Sequence, residues 1–296
     1  VTALMIACES GHDRVALHLI KAGAKVDQVK EDGDTALMYA CQVGHDQCAL
    51  QLIKAGAGVN HARNDGFTAL MFACQDGHYL VALQLIEAKA NLEAVMPSGY
   101  TALMLTCEYG HDPCALQLIG AGANLEKQTA EGFTALMLAC QHGHDPCVRA
   151  MIEAGADVNH ASAHGRTALM EACRNGHDPC ALQLIKAGAN LEKQTAKGFT
   201  ALMFACQNGH DRVALQLIEA GANLEKQTDK GSTALMLACQ RGHDPCALQL
   251  IEAGAKLDVA NNKGFTALML ACEYGHVEGN DRCVRVLLEK GAKLEK

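Results

Sequence analysis

Thr134-Ala-Leu-Met-Leu-Ala-Cys-Gln-His-Gly143-His144-Asp145-Pro146-Cys147 carries two helix starts and one helix stop. Thr134 can cap a short helix whose apolar residues Leu136, Met137 and Ala139 lie on or beside one face, and Gly143 ends it. Asp145 and Pro146 then supply an N-cap and a first-turn proline for a second helix. In a sister copy that helix runs through the apolar stretch Cys114 to Ile119. Helices of roughly two to three turns are marginal in water on their own, so they must be held by packing against similar neighbours.

Those neighbours recur at a fixed interval. Thr-Ala-Leu stands at Thr2, Thr35, Thr68, Thr101, Thr134, Thr167, Thr200, Thr233 and Thr266, always 33 residues apart. These threonines open repeats one to nine. Glycine and histidine follow 9 and 10 residues after each of them. A glycine ends the second helix in eight of nine units, for example Gly122, Gly155 and Gly188. A polar segment such as Asn124 to Phe133 then leads to a turn glycine, found at Gly33, Gly66, Gly99, Gly132, Gly165, Gly198, Gly231 and Gly264. A projecting hairpin finger fits that segment.

A 33-residue unit with Thr-x-Leu, Gly-His and Ala-Gly-Ala-Asn/Asp at these offsets resembles the ankyrin repeat, whose usual opening is Thr-Pro-Leu-His. The resemblance covers the whole chain. It implies an all-α solenoid of stacked helix-turn-helix units with β-hairpin fingers, without enzymatic activity, that binds a protein or peptide on its concave face. This chain writes Thr-Ala-Leu-Met instead, so the turn loses a polar brace. Residues 1–296 are expected to form one array of nine repeats, a curved rod on the order of 80 to 100 Å long. The boundaries at Val1 and Lys296 fall inside units, which suggests a piece of a longer array or ends that meet another molecule. Repeat three is the least regular: Lys89 replaces the helix-ending glycine, Tyr79 the aspartate, and the next finger reads Met96-Pro97-Ser98. Local strain is expected there. Repeat nine carries additional residues from Val277 to Asn280.

Composition excludes several classes. A formal charge of -8, with Lys+Arg 25 against Asp+Glu 33, leaves no basic footprint for nucleic acid or an anionic membrane. No apolar run long enough for membrane insertion appears, nor a signal peptide. The 15 cysteines recur at fixed places in an apolar pattern, which favours reduced thiols and a cytoplasmic setting. Nine stand 6 residues after the threonine and the others lie in the second helices. A zinc array is one reading, but Val15, Val81 and Val213 replace the second-helix cysteine, which a ligand set would not tolerate. Small buried hydrophobes explain them better. The Gly-His histidines resemble the family histidine that ties one turn to its neighbour. His160 and His164 share one finger without a cysteine or acidic partner, a weak metal site. No catalytic set or phosphate loop is found, and no cofactor is expected.

Residues that differ between units are then the candidate contacts. Just before the threonine stand Phe67, Tyr100, Phe133, Phe199 and Phe265; four residues after it stand Tyr39, Phe72 and Phe204; eight after it stand Tyr109 and Tyr274. The last two positions share a helix face, and the first lies beside it at the foot of the finger. An exposed aromatic strip on the concave side is expected, interrupted in repeat six by Arg166, Glu171 and Arg174, where a partner's charge could set the register. The competing reading is that the aromatics only seal the fingers against adjacent units. Gln117, Gln183 and Gln216 are expected to be exposed scaffold on the convex side. The functional reading is a protein- or peptide-binding scaffold; the alternative is self-association through uncapped ends into a filament or spring.

Overall fold

Each repeat begins where a threonine hydroxyl takes over a helix's unsatisfied backbone donor. In the computed structural model, Thr2 Oγ1 accepts the Met5 N–H at 3.2 Å, and Thr35, Thr68, Thr101, Thr167, Thr200, Thr233 and Thr266 cap their helices in the same way. The structure describes residues 1–275 and 279–294, so His276 and, of the ninth-repeat insertion, Val277 and Glu278 lie outside the described residues. Among the described residues there are eighteen helices, two per repeat, from Ala3–Glu9 to Asn280–Glu289. The fold is an all-α stack of helix-turn-helix units.

Packing selects the same four positions in the first helices of repeats one to eight. In repeat six, Ala168–Asn175, these are Leu169, Met170, Ala172 and Cys173, all buried. Gly176 stops that helix in the left-handed region at φ 76, a conformation that costs a Cβ-bearing residue energy. Lys89 adopts the same conformation with φ 63 and is the one described non-glycine residue to do so, which matches the strain expected in repeat three.

The start of the second helix differs from the sequence expectation. Asp46, Asp178 and Asp211 are first helical residues rather than caps, and the capping position belongs to the preceding histidine, whose side chain makes no capping bond. The reason is that the ring is engaged elsewhere, as described below. Aspartate in the first turn still complements the positive end of the helix dipole.

The chain divides into two compact units, Val1–Leu136 with Glu153–Ala156, and Met137–Ile152 with Asp157–Lys296. Within each unit the first helix of a repeat packs on the first helix of the next, and second helices pack likewise. The expected β-hairpin fingers are tight turns rather than ladders: among the described residues, Ala62 and Thr68 form the isolated antiparallel bridge. A finger of this length has room for one or two closing bonds only, such as Arg63 N–H to Phe67 O at 2.7 Å.

Candidate functional site

Glycine and histidine form an inter-repeat clasp. The His45 ring donates from Nε2 to Glu9 O at 3.2 Å, and His78, His177, His210 and His243 reach the carbonyls of Gln42, Gln141, Arg174 and Gln207. Each ring lies on the glycine of the preceding repeat: a Cβ on Gly44 would stand 2.4 Å from the His78 ring, and on Gly176 2.5 Å from that of His210. A second tie comes from the residue opening each finger segment. Asn159 Oδ1 accepts the Asn190 N–H at 2.7 Å and Glu192 Oε1 the Asn223 N–H at 2.7 Å. With repeats fixed in this way, equivalent side chains fall into rows.

The expected exposed aromatic strip is not continuous. Phe72 and Phe133 are buried, at 4% and 5% exposure, whereas Tyr109 is 54% exposed. Tyr39, Phe67, Tyr100, Phe199, Phe204, Phe265 and Tyr274 are half-buried. Part of this burial arises within single repeats, where the foot of the finger packs on its own first helix: Phe67 and Phe72 rings lie 4.9 Å apart, and Phe199 and Phe204 5.2 Å apart. Burial, then the Glu108 carboxylate, pushes the Tyr100 hydroxyl up to about 12.

Glu171 also departs from expectation. It is 1% exposed, with Oε1 3.0 Å from the Arg166 guanidinium, so it serves as Arg166's internal partner and is sealed from solvent. Burial raises its carboxyl above the ordinary carboxylate value, against the opposing pull of Arg166 and Arg174. Arg174 is exposed. Gln117, Gln183 and Gln216, expected to be exposed, are half-buried, and their amide oxygens accept no hydrogen bond among the described residues. The leucines just before them, Leu116, Leu182 and Leu215, face solvent instead. The helix therefore turns its apolar face one residue away from the assumed position.

The fingers close their turns in two chemically different ways. In the first two fingers the acceptor stands three residues before the threonine: Asp32 Oδ1 takes the Asp34 N–H and Asp65 Oδ1 the Phe67 N–H, whereas Thr129 already closes its turn from five residues before, taking the Phe133 N–H at 3.2 Å. In Thr195, Thr228 and Asn261 it stands five residues before, taking the N–H of Phe199, Ser232 and Phe265 at 3.0–3.1 Å. This relocation decides what the other tip position can do. In those first two fingers the position five before is free to be cationic. Lys30 holds Asp32 at 2.6 Å, and Arg63 holds Asp65 through Nε at 2.8 Å while its guanidinium lies 5.4 and 5.1 Å from the Phe67 and Phe72 ring centres.

In the second unit the position three before is free instead. Along the chain it reads Asp32, Asp65, Ser98, Glu131, His164, Lys197, Lys230 and Lys263, a gradient from acid to base. His164, Lys197, Lys230 and Lys263 are exposed. Their backbone is chained: the His164, Lys197 and Lys230 carbonyls accept the N–H of Ala196, Asp229 and Asn262 at 3.2, 3.1 and 3.0 Å. The turn glycines seal this contact, since a Cβ on Gly198 would stand 2.8 Å from Thr228 Cα. Sequence reading missed this row because it compared aromatics between repeats and not the finger tips. Aligning the repeats on their threonines would have shown it.

The cysteines pair across repeats. Cys8, Cys206 and Cys239 of first helices hydrogen-bond the thiols of Cys48, Cys246 and Cys283 in the next repeat's second helix. Val81 and Val213 occupy that second-helix position two repeats out of the series, opposite Cys41 and Cys173 in register. Burial pushes the Cys8 thiol up to about 12 and the Cys114 thiol up to about 11, which suits packing and not nucleophilic chemistry. Cys272, in the first helix of repeat nine, departs from the expected burial of the first-helix cysteines: it is exposed. Among the described residues, no three His, Cys, Asp or Glu side chains converge to hold a metal. No described helix is long and apolar enough to cross a membrane.

A family model of ankyrin repeats matches residues 4–96, 84–162, 159–228 and 202–296. The chain therefore belongs to the ankyrin-repeat family. Its structure is similar to the crystal structure of the human ASB11 ankyrin repeat domain, with a TM-score of 0.67 and 27% identity, covering 75% of this chain and 99% of that one. No curated protein matches the chain in sequence. Ankyrin repeats generally mediate protein–protein interaction and form a non-enzymatic fold.

Proposed function

We propose that this chain is an intracellular binding scaffold that holds a protein or peptide across its fingers and first helices, without catalysis. The carrying observation is the contrast between constant and varied positions. Leucine, methionine and cysteine of the first helices are buried through repeats one to eight, while Tyr109, Arg174 and the half-buried Phe199 and Phe265 differ between repeats and reach solvent. Packing explains the constant set, and recognition explains the varied one.

The test is site-specific crosslinking. Benzoylphenylalanine placed at Phe199 or Phe265 should trap a discrete partner in cells, whereas the same group at Leu215 on the second helix should not. Phe199→Ala and Phe265→Ala should weaken that complex by about 1 to 3 kcal/mol. Adducts from Leu215 alone would move the interface to the other side. Light scattering that shows size growing with concentration would instead favour end-to-end assembly of this chain.

A further inference from the structure

We propose that the finger tips of the second unit seat an acidic, extended segment of the partner, with Lys197, Lys230 and Lys263 each meeting a carboxylate at every third residue of that segment. This deepens the protein-binding reading above and rests on it.

The three lysines form no ion pair among the described residues, although the chain carries 33 acidic side chains against 25 basic ones. Even Asp229, next to Lys230 in sequence, forms no ion pair with it. The first unit shows what a neutralised tip looks like: there Asp32 and Asp65 are both answered from within their own fingers by Lys30 and Arg63. In the second unit the position that would answer is taken by Thr195, Thr228 and Asn261, which are committed to closing the turns. The charge is left for a molecule outside the chain.

The row is also rigid and regularly spaced. Backbone bonds at 3.1 and 3.0 Å join the tips of Lys197 and Lys230 to the fingers that follow. Stacked helices stand roughly 8 to 10 Å apart, so the lysines repeat at about that interval. A polyproline-type segment advances ~9 Å per turn of three residues, so every third side chain lies on one face at a matching interval. A two-residue alternation of a β-strand advances only about 7 Å and drifts out of register. Half-buried Phe199 and Phe265, two residues beyond Lys197 and Lys263, offer apolar seats beside the charges. The positive row is only three lysines long on a chain of net charge -8, which suits a short segment with spaced carboxylates and not the continuous phosphate array of a nucleic acid.

Fluorescence anisotropy with the full chain and a labelled peptide of about twelve residues, glutamate at every third position and proline between, tests this. Binding should weaken as salt rises and should fall roughly tenfold or more in the triple variant Lys197→Gln, Lys230→Gln, Lys263→Gln. The triple variant Lys54→Gln, Lys186→Gln, Lys290→Gln, at exposed helix ends, should bind as the parent does. Equal binding of a glutamine-for-glutamate peptide, or of one with its glutamates in a single block, would overturn the proposal. So would stronger binding of a single-stranded oligothymidylate, which would mark a general polyanion surface. If crosslinking at Phe199 traps a partner whose affinity ignores the three lysines, the acidic-segment proposal fails while the binding scaffold stands. If the lysines bind the peptide but no partner is trapped at Phe199 or Phe265, the acidic-segment seat stands and the placement of the partner across those two rings fails.

Discussion

The first two fingers are electrostatically closed and the last three are open, and one residue's relocation separates them. Where an aspartate three residues before the threonine closes the turn, as in Asp65, the chain must answer that carboxylate, and Arg63 does so from two residues away. Where a hydroxyl or amide five residues before closes it, as in Thr195, no charge is needed, and the tip passes to Lys197. Two equivalent solutions for one backbone N–H thus leave opposite charges at the surface. A structural requirement sets which position is available, and the available position carries the chemistry.

The largest way to break the second unit's arrangement is at its turn glycines. Gly231 has φ 77, and a Cβ there would stand 2.8 Å from the Asn262 N and 2.5 Å from its Oδ1. Gly231→Ala should cost about 2 to 4 kcal/mol in urea unfolding. Gly66→Ala shares the positive φ but meets Pro97 Cδ at 3.1 Å and Met96 Cα at 3.2 Å, so it should cost less. An equal cost in both would show that only backbone conformation matters there, and that the tips are not locked together.

Removing the first unit's internal answer is the next largest change. Arg63→Ala deletes the guanidinium from above Phe67 and Phe72 and leaves Asp65 without it. A loss of about 1 to 2 kcal/mol in thermal or urea unfolding is expected, with Arg63→Lys recovering only part, because ammonium lacks the planar stacking face. Full recovery by lysine would reduce the contrast between units to charge alone.

The smallest effect sharpens the comparison by its dependence on pH. Glu171 stands where Leu105, Leu138, Leu237 and Leu270 stand in other repeats. Burial raises its carboxyl above the ordinary value of 4.5, so the folded chain binds that proton more tightly than the unfolded chain does. Its contribution favours folding below that value and is lost as pH rises through the raised one. Glu171→Leu should therefore flatten the stability curve above the ordinary carboxylate value and leave stability at neutral pH unchanged or higher by about 1 kcal/mol. A variant destabilised by several kcal/mol would show that the pair with Arg166 outweighs desolvation.

The repeat number, the helix caps and the glycine stops were legible from the chain because each is a local requirement that recurs every 33 residues. Thr200 caps its own helix, and Gly209 ends it, whatever lies beside them. The placement of the second-helix cap failed because His210 answers to Arg174 O, 36 residues away, and not to its own helix. Exposure of the candidate contacts was likewise a non-local matter. Phe72 and Glu171 lie at a position the sequence marks as variable, yet stacked neighbours bury both.

By itself, then, the sequence determined the all-α helix-pair repeat, its period and its caps, since these arise from backbone geometry within a few residues. Only the tertiary structure decided which variable side chains reach solvent and that Asp65 is spent on Arg63 while Lys197 is not. Burial and ion pairing depend on atoms brought together from different repeats, and the spacing that turns three lysines into a row exists only once the fingers are bonded to one another.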